Sequence, residues 1–355
     1  MSALIEKVMS RARLLAVPLS VHLDLTYRCN ERCVHCYLER GAGSEMPAAE
    51  VKGLLDQLAE AGVFFLTLSG GEPFLRPDLF EILGHARNLS FCVRLKTNAS
   101  LIAAGEADRI AALGINEVHV SIYSRHPELH DRMTQVPGSW ERSLNAIRLL
   151  RSRGQNVIIV HIATRLNADD HPAVQALANE LGAGFRIDAT ITPKLDGDRS
   201  TLALNVPHAE LVRIMTSPGY AGNAEQYCVP SEAPDAAALN EPLCSAGHTH
   251  CYIAPDGGVF PCVQLPVWCG SVGRQRFIEI WRDSPQMKDV RSTRLGDLPA
   301  CSRCSHAASC SRCPGLAFMA GDIRGPSVQD CENSYARTGV VPTGCPVPVA
   351  CRRDN

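Results

Sequence analysis

The sequence predicts an α/β fold built on a parallel sheet and followed by a cysteine-rich extension. Three observations predict it. Short β-rich apolar runs alternate with longer amphipathic stretches in the first part of the chain. The loops after the first two runs carry clustered Cys and paired Gly. Twelve of the 16 cysteines fall between residues 228 and 351, whereas 37 to 227 hold only Cys92. At 355 residues the chain exceeds one typical domain. The change in cysteine content divides it into 1–216, a Pro-, Ala- and Gly-rich linker 217–243, and 244–355.

Strands are expected at 21–26 (VHLDLT), 63–68 (VFFLTL), 91–96 (FCVRLK), 116–121 (NEVHVS), 156–162 (NVIIVHI) and 184–189 (GFRIDA). Between them, 47–61, 77–87, 104–113, 139–153 and 171–182 place apolar residues at helical spacing, with Pro77 and Ser139 suited to start helices. Parallel strands joined by right-handed crossovers form either an open sheet or a barrel, and the pattern does not separate the two. In both, ligands sit beyond the carboxyl ends of the strands, so the loops there are where chemistry is sought.

Charge excludes some partners. With 35 Lys plus Arg against 37 Asp plus Glu, and a net charge of -2, no strong field favours nucleic acid or an acidic membrane. The first residues show no signal-peptide pattern, and no stretch approaches the roughly 18 unbroken apolar residues of a membrane span. A cytoplasmic location is therefore expected, where thiols stay reduced and clustered Cys more often bind metal than each other.

The loop after the first strand holds Cys29-x3-Cys33-x2-Cys36. Three thiolates on one short loop can bind three irons of a cubane and leave the fourth iron open to a substrate. A zinc site or a simple electron carrier is the alternative, although ferredoxins supply a fourth Cys and structural zinc sites come as two pairs. The next loop reads Ser69-Gly70-Gly71-Glu72-Pro73. Its glycines permit close backbone approach to a ligand, and Glu72 offers a carboxylate to a cationic amino group. A tight turn ended by Pro is the plainer reading of this motif alone.

At these two motifs the chain resembles the radical S-adenosylmethionine (SAM) superfamily. Its mark is this Cys triplet with an aromatic residue beside the last Cys, here Tyr37, followed by a GGEP-type motif. The resemblance covers about residues 18–190 and implies a partial (β/α)6 barrel related to the TIM barrel. It implies that SAM chelates the open iron of a 4Fe-4S cluster through its amino and carboxylate groups, with Gly70, Gly71 and Glu72 along the methionine end. It further implies reductive cleavage of SAM to methionine and a 5'-deoxyadenosyl radical. Thr97 and Asn98 after the third strand, Ser121 closing the fourth and Arg165 after the fifth resemble positions that touch SAM in relatives. For Arg165 a solvated loop charge is the alternative. Cys92, inside a strand, reads as a buried apolar thiol.

Beyond the linker come Cys244-x6-Cys251-x10-Cys262, then Cys301-x2-Cys304-x5-Cys310-x2-Cys313, then Cys331. Eight ligands suit two complete cubanes or two zinc sites. About 244–335 resembles the SPASM extension of radical SAM peptide and protein maturases, including a Gly-x4-Cys from Gly257 to Cys262. The x2 gap before Cys313 departs from the usual x3. The resemblance implies that Cys244, Cys251, Cys262 and Cys313 hold one auxiliary cluster and Cys301, Cys304, Cys310 and Cys331 the other. Three 4Fe-4S clusters are thus expected, and the interleaved pairing staples the extension around metal. Cys228, Cys269, Cys345 and Cys351 read as spare surface or packing thiols, with a regulatory disulfide or an extra site in the tail as the alternative.

Auxiliary clusters suit oxidation, because a carbon radical that loses an electron needs an acceptor nearby. The expected activity is oxidative modification of a ribosomal peptide or protein, as in pyrroloquinoline quinone and mycofactocin maturases. Oxidation of a small molecule such as a tetrapyrrole side chain is the alternative enzyme reading. A non-enzymatic iron-sulfur electron carrier, of another class, needs neither the glycine motif nor a barrel. The sulfatase-maturing branch places an acid after the Cys that matches Cys262, where this chain has Val263 and Gln264. No catalytic base is named; Asp188, Asp196 and Asp198 lie near the end of the sixth strand, where a solvated acidic loop is the plainer reading. The expected partners are a reductant such as flavodoxin or ferredoxin and, with no peptide-recognition domain evident, a leader-binding protein. Neither nucleic acid nor membrane is expected.

Overall fold

The structure, a computed structural model, describes residues 3–38, 43–217, 234, 236–307 and 310–342. Six strands form where the pattern places them: β1 Ser20–Asp24, β2 Phe65–Ser69, β3 Cys92–Thr97, β4 Glu117–Ser121, β5 Val157–Ile162 and β6 Gly184–Asp188. Each pairs in parallel with its predecessor, so the order is β6-β5-β4-β3-β2-β1. A sheet in which every new strand lies beside the last has barrel order, whereas a doubly wound sheet reverses at a switch point. Topology therefore supplies what periodicity could not.

The barrel stays open because the outer edge of β1 carries another strand. β7 (His250–Ile253) runs parallel to β1, in register from Ser20 opposite His250 to Leu23 opposite Ile253. β8 (Gly258–Phe260) and β9 (Gly270–Ser271) continue it in antiparallel fashion, giving one nine-stranded sheet. The cysteine-rich region thus extends the sheet of the first region.

The helices, in chain order, are α1 Ala3–Leu14, α2 Ala48–Glu60, α3 Leu79–Asn88, α4 Ala104–Leu113, α5 Pro127–Thr134, α6 Ser139–Ser152, α7 His171–Glu180 and α8 His208–Met215. The C-terminal region adds α9 Ala236–Leu239, α10 Phe277–Asp283, α11 Pro285–Ser292, α12 Pro314–Met319 and α13 Val328–Thr338. The five expected crossover helices are all present. α5 was not expected, since PELHDRMT carries few apolar residues at helical spacing. Among the described residues no helix is long and apolar enough to cross a membrane.

Strand alternation decides which face packs and which binds. Val21, Leu23, Leu66, Leu68, Val93, Leu95, Val118 and Val120 face the helices and are at most 1% exposed. Burying each contributes about 1.5–3 kcal/mol. The alternate residues, among them His22, Arg94, Lys96 and His119, point into the barrel and line a cavity. The C-terminal region docks through α10: Phe277 N donates to Gln57 Oε1 at 2.9 Å, and buried Trp281 donates from Nε1 to Ala16 O at 2.7 Å.

Candidate active site

The chain turns after β1, β2 and β3 converge at the mouth of the barrel. Gly71 N donates to Thr26 O at 2.7 Å and Glu72 N to Arg28 O at 2.8 Å, so the β2 loop lies on the start of the Cys loop. A Cβ on Gly70 would stand 2.6 Å from Thr26 O, and one on Gly71 2.2 Å from Arg28 O. Gly70 also takes φ +135°, which disfavours a side chain. The close approach these glycines permit is thus to the protein's own backbone, while both still line the cavity.

Glu72 lies beneath this junction, fully buried. Its carboxylate accepts from Thr97 Oγ1 at 2.8 and 3.0 Å, Asn98 N at 2.8 Å and Phe74 N at 3.1 Å. Burial nonetheless pushes its pKa up to about 7. The carboxylate that the sequence offers to a ligand's amino group is therefore already engaged by donors from two strand ends, and it is not part of the cavity wall.

Cys29, Cys33 and Cys36 line the cavity with Tyr37. The unexpected helix α5 holds their loop in place: Thr134 O accepts from Arg32 N at 2.8 Å and Met133 O from Val34 N at 2.9 Å. Burial pushes the Cys29 thiol up to about 11. Burial, then Glu31, Cys36 and Cys29, hold Cys33 well above the ordinary thiol range. Protonated thiols are poor ligands, so a shared cationic centre is what ionises such a set. Among the described residues no three His, Cys, Asp or Glu close on one point as around a single ion. Three soft thiols on one short loop, with no fourth Cys beside them in the sequence, suit separate irons of one cluster better than a structural zinc site.

Asn98 donates from Nδ2 to Asn30 Oδ1 at 2.9 Å and lies 4.0 Å from Cys29 Sγ; Thr97 and Ser121 share its wall of the cavity. Arg165 does not join them. It is exposed, with its amide donating to Leu204 O at 2.9 Å and its guanidinium to Ala203 O at 3.4 Å, because the chain after β5 turns onto residues 200–204. Asp188 lines the cavity, whereas Asp198 pairs with Lys194 at 2.6 Å on the surface and Asp196 accepts from Asp198 N beside it.

Two residues were missed by sequence reasoning. Tyr123 places its hydroxyl 3.8 Å from Cys33 Sγ, stacks on His130 and meets the His35 ring edge-on at 4.6 Å. His35 lines the cavity, and its buried Nδ1 has no hydrogen-bond partner among the described residues. The available signal is the position of His35, directly before Cys36 as Tyr37 is directly after it.

The cavity encloses about 710 Å³. The Cys loop forms one wall, and Val263, Gln264 and Met319 from the C-terminal region form another. His22, Arg94, Lys96, His119, Arg186 and Asp188 line the remainder of the wall. Burial lowers the pKa of Lys96 and raises that of Asp188.

The C-terminal thiols fall into two neighbourhoods. A Cβ on Gly315 would stand 2.1 Å from Gln264 O, so the segment after Cys262 lies directly against the start of α12, and Cys313 Sγ is 3.6 Å from Gln264 Oε1. Burial, then Cys262, raises the Cys244 pKa; burial, then Asp330 and Cys262, hold Cys313 at about 12. Burial, then Asp330, Cys301 and Cys304, hold Cys310 at about 12. Cys331 lies on α13 next to Asp330, whose carboxylate accepts from Cys313 N at 2.8 Å. Cys251 is fully buried on β7, and Cys269 is a buried packing thiol. Cys92 opens β3 half-buried. Cys228, Cys345 and Cys351 lie outside the described residues.

Comparison with known proteins agrees with this geometry. Residues 23–176 match the radical SAM superfamily, and residues 244–314 match SPASM, an iron-sulfur cluster-binding domain. The AdoMet-dependent heme synthase of Methanosarcina barkeri is 30% identical over 335 residues, which cover 85% of this chain and 93% of that protein. The PqqA peptide cyclase of Xanthomonas campestris pv. campestris is 30% identical over 344 residues, 91% of this chain and 89% of the relative. In fold, the chain is similar to Streptococcus suis SuiB bound to its precursor peptide SuiA, with a TM-score of 0.70 at 17% identity, covering 96% of this chain and 79% of that one. The thiol loop, the glycine junction, the open barrel and these likenesses together make the chain a member of the radical SAM superfamily that carries a SPASM iron-sulfur domain.

Proposed function

We propose that this radical SAM enzyme oxidises a side chain or α-carbon of a ribosomal peptide or protein. One observation carries the reading: a single cavity has Cys29, Cys33 and Cys36 on one side and Val263 and Gln264, directly after Cys262, on another. A substrate held there lies between the SAM-cleaving site and the first group of C-terminal thiols. The PqqA peptide cyclase and the peptide-bound SuiB support a peptide as the occupant.

Cys29, Cys33 and Cys36 would hold the N-terminal cluster, which when bound would supply the electron for reductive cleavage of SAM. Gly70 and Gly71 keep the cavity rim free of side chains, and Thr97, Asn98 and Ser121 offer hydrogen bonds to SAM. Val160, Ile162 and Ile191 make part of the wall apolar and help exclude water. Cys244, Cys251, Cys262 and Cys313 hold one auxiliary cluster, and Cys301, Cys304, Cys310 and Cys331 the other. A flavodoxin or ferredoxin supplies the reductant, a separate protein presents the peptide leader, and a cytoplasmic location keeps the thiols reduced.

A second reading, oxidation of a carboxylate-bearing tetrapyrrole, is favoured by the heme synthase relative. It is also favoured by the cations of Lys96 and Arg186 on the cavity wall, for which no hydrogen bond is found among the described residues. Anaerobic incubation with SAM, reductant and the peptide encoded beside the enzyme tests the first reading: the product is expected to be lighter by two hydrogens. An unmodified peptide with SAM still cleaved defeats it, and modification of a porphyrin with carboxylate side chains in the same assay establishes the second. A Cys29, Cys33, Cys36 triple Ala variant is expected to lose SAM cleavage and to fall from about 12 irons to about 8.

A further inference from the structure

Buried donors without acceptors are rare in native structures, and each asks for an explanation. Three arginines of the C-terminal region carry such donors: Arg312 and Arg337 with two unpartnered nitrogens each, and Arg291 with Nη2 alone, its Nε donating to Gly247 O and its guanidinium lying over the Trp281 ring. Arg312, only 7% exposed, lies between Cys310 and Cys313 in the chain. Its Nη2 donates to Ile323 O and, at 2.7 Å, to Gly325 O. Its Nε and Nη1 are buried without a hydrogen-bond partner among the described residues. Arg337, on α13, likewise buries Nε and Nη2 without a partner.

The nearby carboxylate does not account for them. Asp330 lies electrostatically close to both guanidinium groups, but it accepts from Cys313 N at 2.8 Å and forms no ion pair with either among the described residues. The thiols are the other neighbours: Arg291 lies electrostatically close to Cys251 and Cys269, and Arg312 and Arg337 lie beside different members of the remaining set. Arg312 lies electrostatically close to Cys244, which with Cys313 neighbours Cys262, whereas Arg337 lies close to Cys310, which neighbours Cys301 and Cys304. Arg312 and Arg337 therefore each bring two buried, unpartnered nitrogens to a different C-terminal thiol group.

A guanidinium is all donor, with a positive charge and no acceptor. Its complement is a buried group that is all acceptor and negatively charged. A cluster ligated by four thiolates is such a group, with sulfurs that accept N–H bonds and a net negative charge. We infer that Arg312 and Arg337 each donate N–H bonds to one auxiliary cluster, Arg312 to the cluster held with Cys244, Cys262 and Cys313, and Arg337 to the one held with Cys301, Cys304 and Cys310. This inference rests on the reading of these thiols as cluster ligands. Both arginines are positioning residues that fix the reduction potential of the centre beside them, since hydrogen bonds to the sulfurs and local charge set that potential.

The test is a potentiometric titration of the full, anaerobically reconstituted chain, followed by electron paramagnetic resonance, with iron counted in the same samples. Arg312→Gln is expected to move one auxiliary signal to more negative potential, and Arg337→Gln the other, with the remaining signals in place. Selective loss of about four irons from one auxiliary centre supports the same pairing. Unchanged potentials at full iron content overturn the proposal while leaving the cluster reading intact. A parent protein that holds only about four irons overturns the cluster reading itself. Should a Gln variant lose both auxiliary signals together, Arg→Lys at the same position decides: the charge stays and the planar donor edge is removed. One shifted signal then supports the proposal, and two unshifted signals overturn it.

Discussion

Tyr252 Oη donates to Asp24 Oδ2 at 3.0 Å, joining residues 228 positions apart in the chain. The other oxygen, Oδ1, meets His22 Nε2 at 3.1 Å, and all three side chains are buried. The contact crosses the seam between β1 and β7, where the C-terminal region joins the barrel sheet. Tyr252→Phe keeps the ring and removes the bond, leaving a buried carboxylate one donor short. The expected cost is about 1.5–3 kcal/mol, the usual range for a hydrogen bond to a charged group. Hydrogen exchange measures it locally: amides of His250–Ile253 are expected to exchange faster than those of β3 and β4. Equal protection in the variant and the parent would show that the seam does not depend on this bond.

That seam marks the limit of what the sequence discloses. The six barrel strands were legible because each apolar run is bounded by turn residues and followed by a helix-periodic stretch. The thiol loop was legible because three Cys in eight residues have few uses where the described cysteines form no disulfide. β7 was not, because HCYI is four residues with no polar alternation, and its partner is far away in the chain. Glu72 shows a different limit. Its motif was legible, but its role depends on where Thr97 and Asn98 point, and no local pattern encodes that. His35 was overlooked because a ring beside Cys36 can lie on either side of it in the chain, and only the fold shows which one meets Tyr123.

The glycine junction predicts a selective defect. Gly71→Ala would put a methyl group 2.2 Å from a backbone oxygen of the Cys loop, and backbone cannot swing aside as a flexible side chain can. Overpacking of this kind costs about 1–3 kcal/mol and here displaces the loop that presents Cys29. The variant is expected to keep about 8 irons at the auxiliary centres, to lose most of the N-terminal four, and to lose SAM cleavage with them. Full iron content with normal SAM cleavage would mean that the junction tolerates a side chain.

Tyr123 predicts a change in potential. Its hydroxyl stands 3.8 Å from Cys33 Sγ, and the ring is fixed by His130 on its face and His35 at its edge. With Cys33 ionised, the hydroxyl is the donor, and hydrogen bonds to ligand sulfur favour the reduced centre. Tyr123→Phe is expected to shift the N-terminal signal to more negative potential and to leave the auxiliary signals where they are. An unmoved N-terminal potential would assign Tyr123 to packing alone.

Glu72 predicts a pH dependence of stability. Burial raises its pKa from 4.5 to about 7, so between these values the folded chain holds a proton that the unfolded chain releases. Stability from this group is fully present below about pH 4.5, falls as pH rises through about 7, and is flat above it. Over the experimentally gentle window from about pH 6 to about pH 7.5 the fall is roughly 1 kcal/mol, given about 1.4 kcal/mol per pH unit for one proton. Glu72→Gln removes this slope because it does not titrate. Above about pH 7, where the parent is ionised, it also lowers stability by about 1–3 kcal/mol. The amide has one acceptor oxygen where the carboxylate has two, and its NH2 must face either Phe74 N–H or Asn98 N–H, both donors. Denaturant midpoints of both proteins at the two pH values measure slope and offset together. A variant as pH-dependent as the parent would show that the proton belongs to another group.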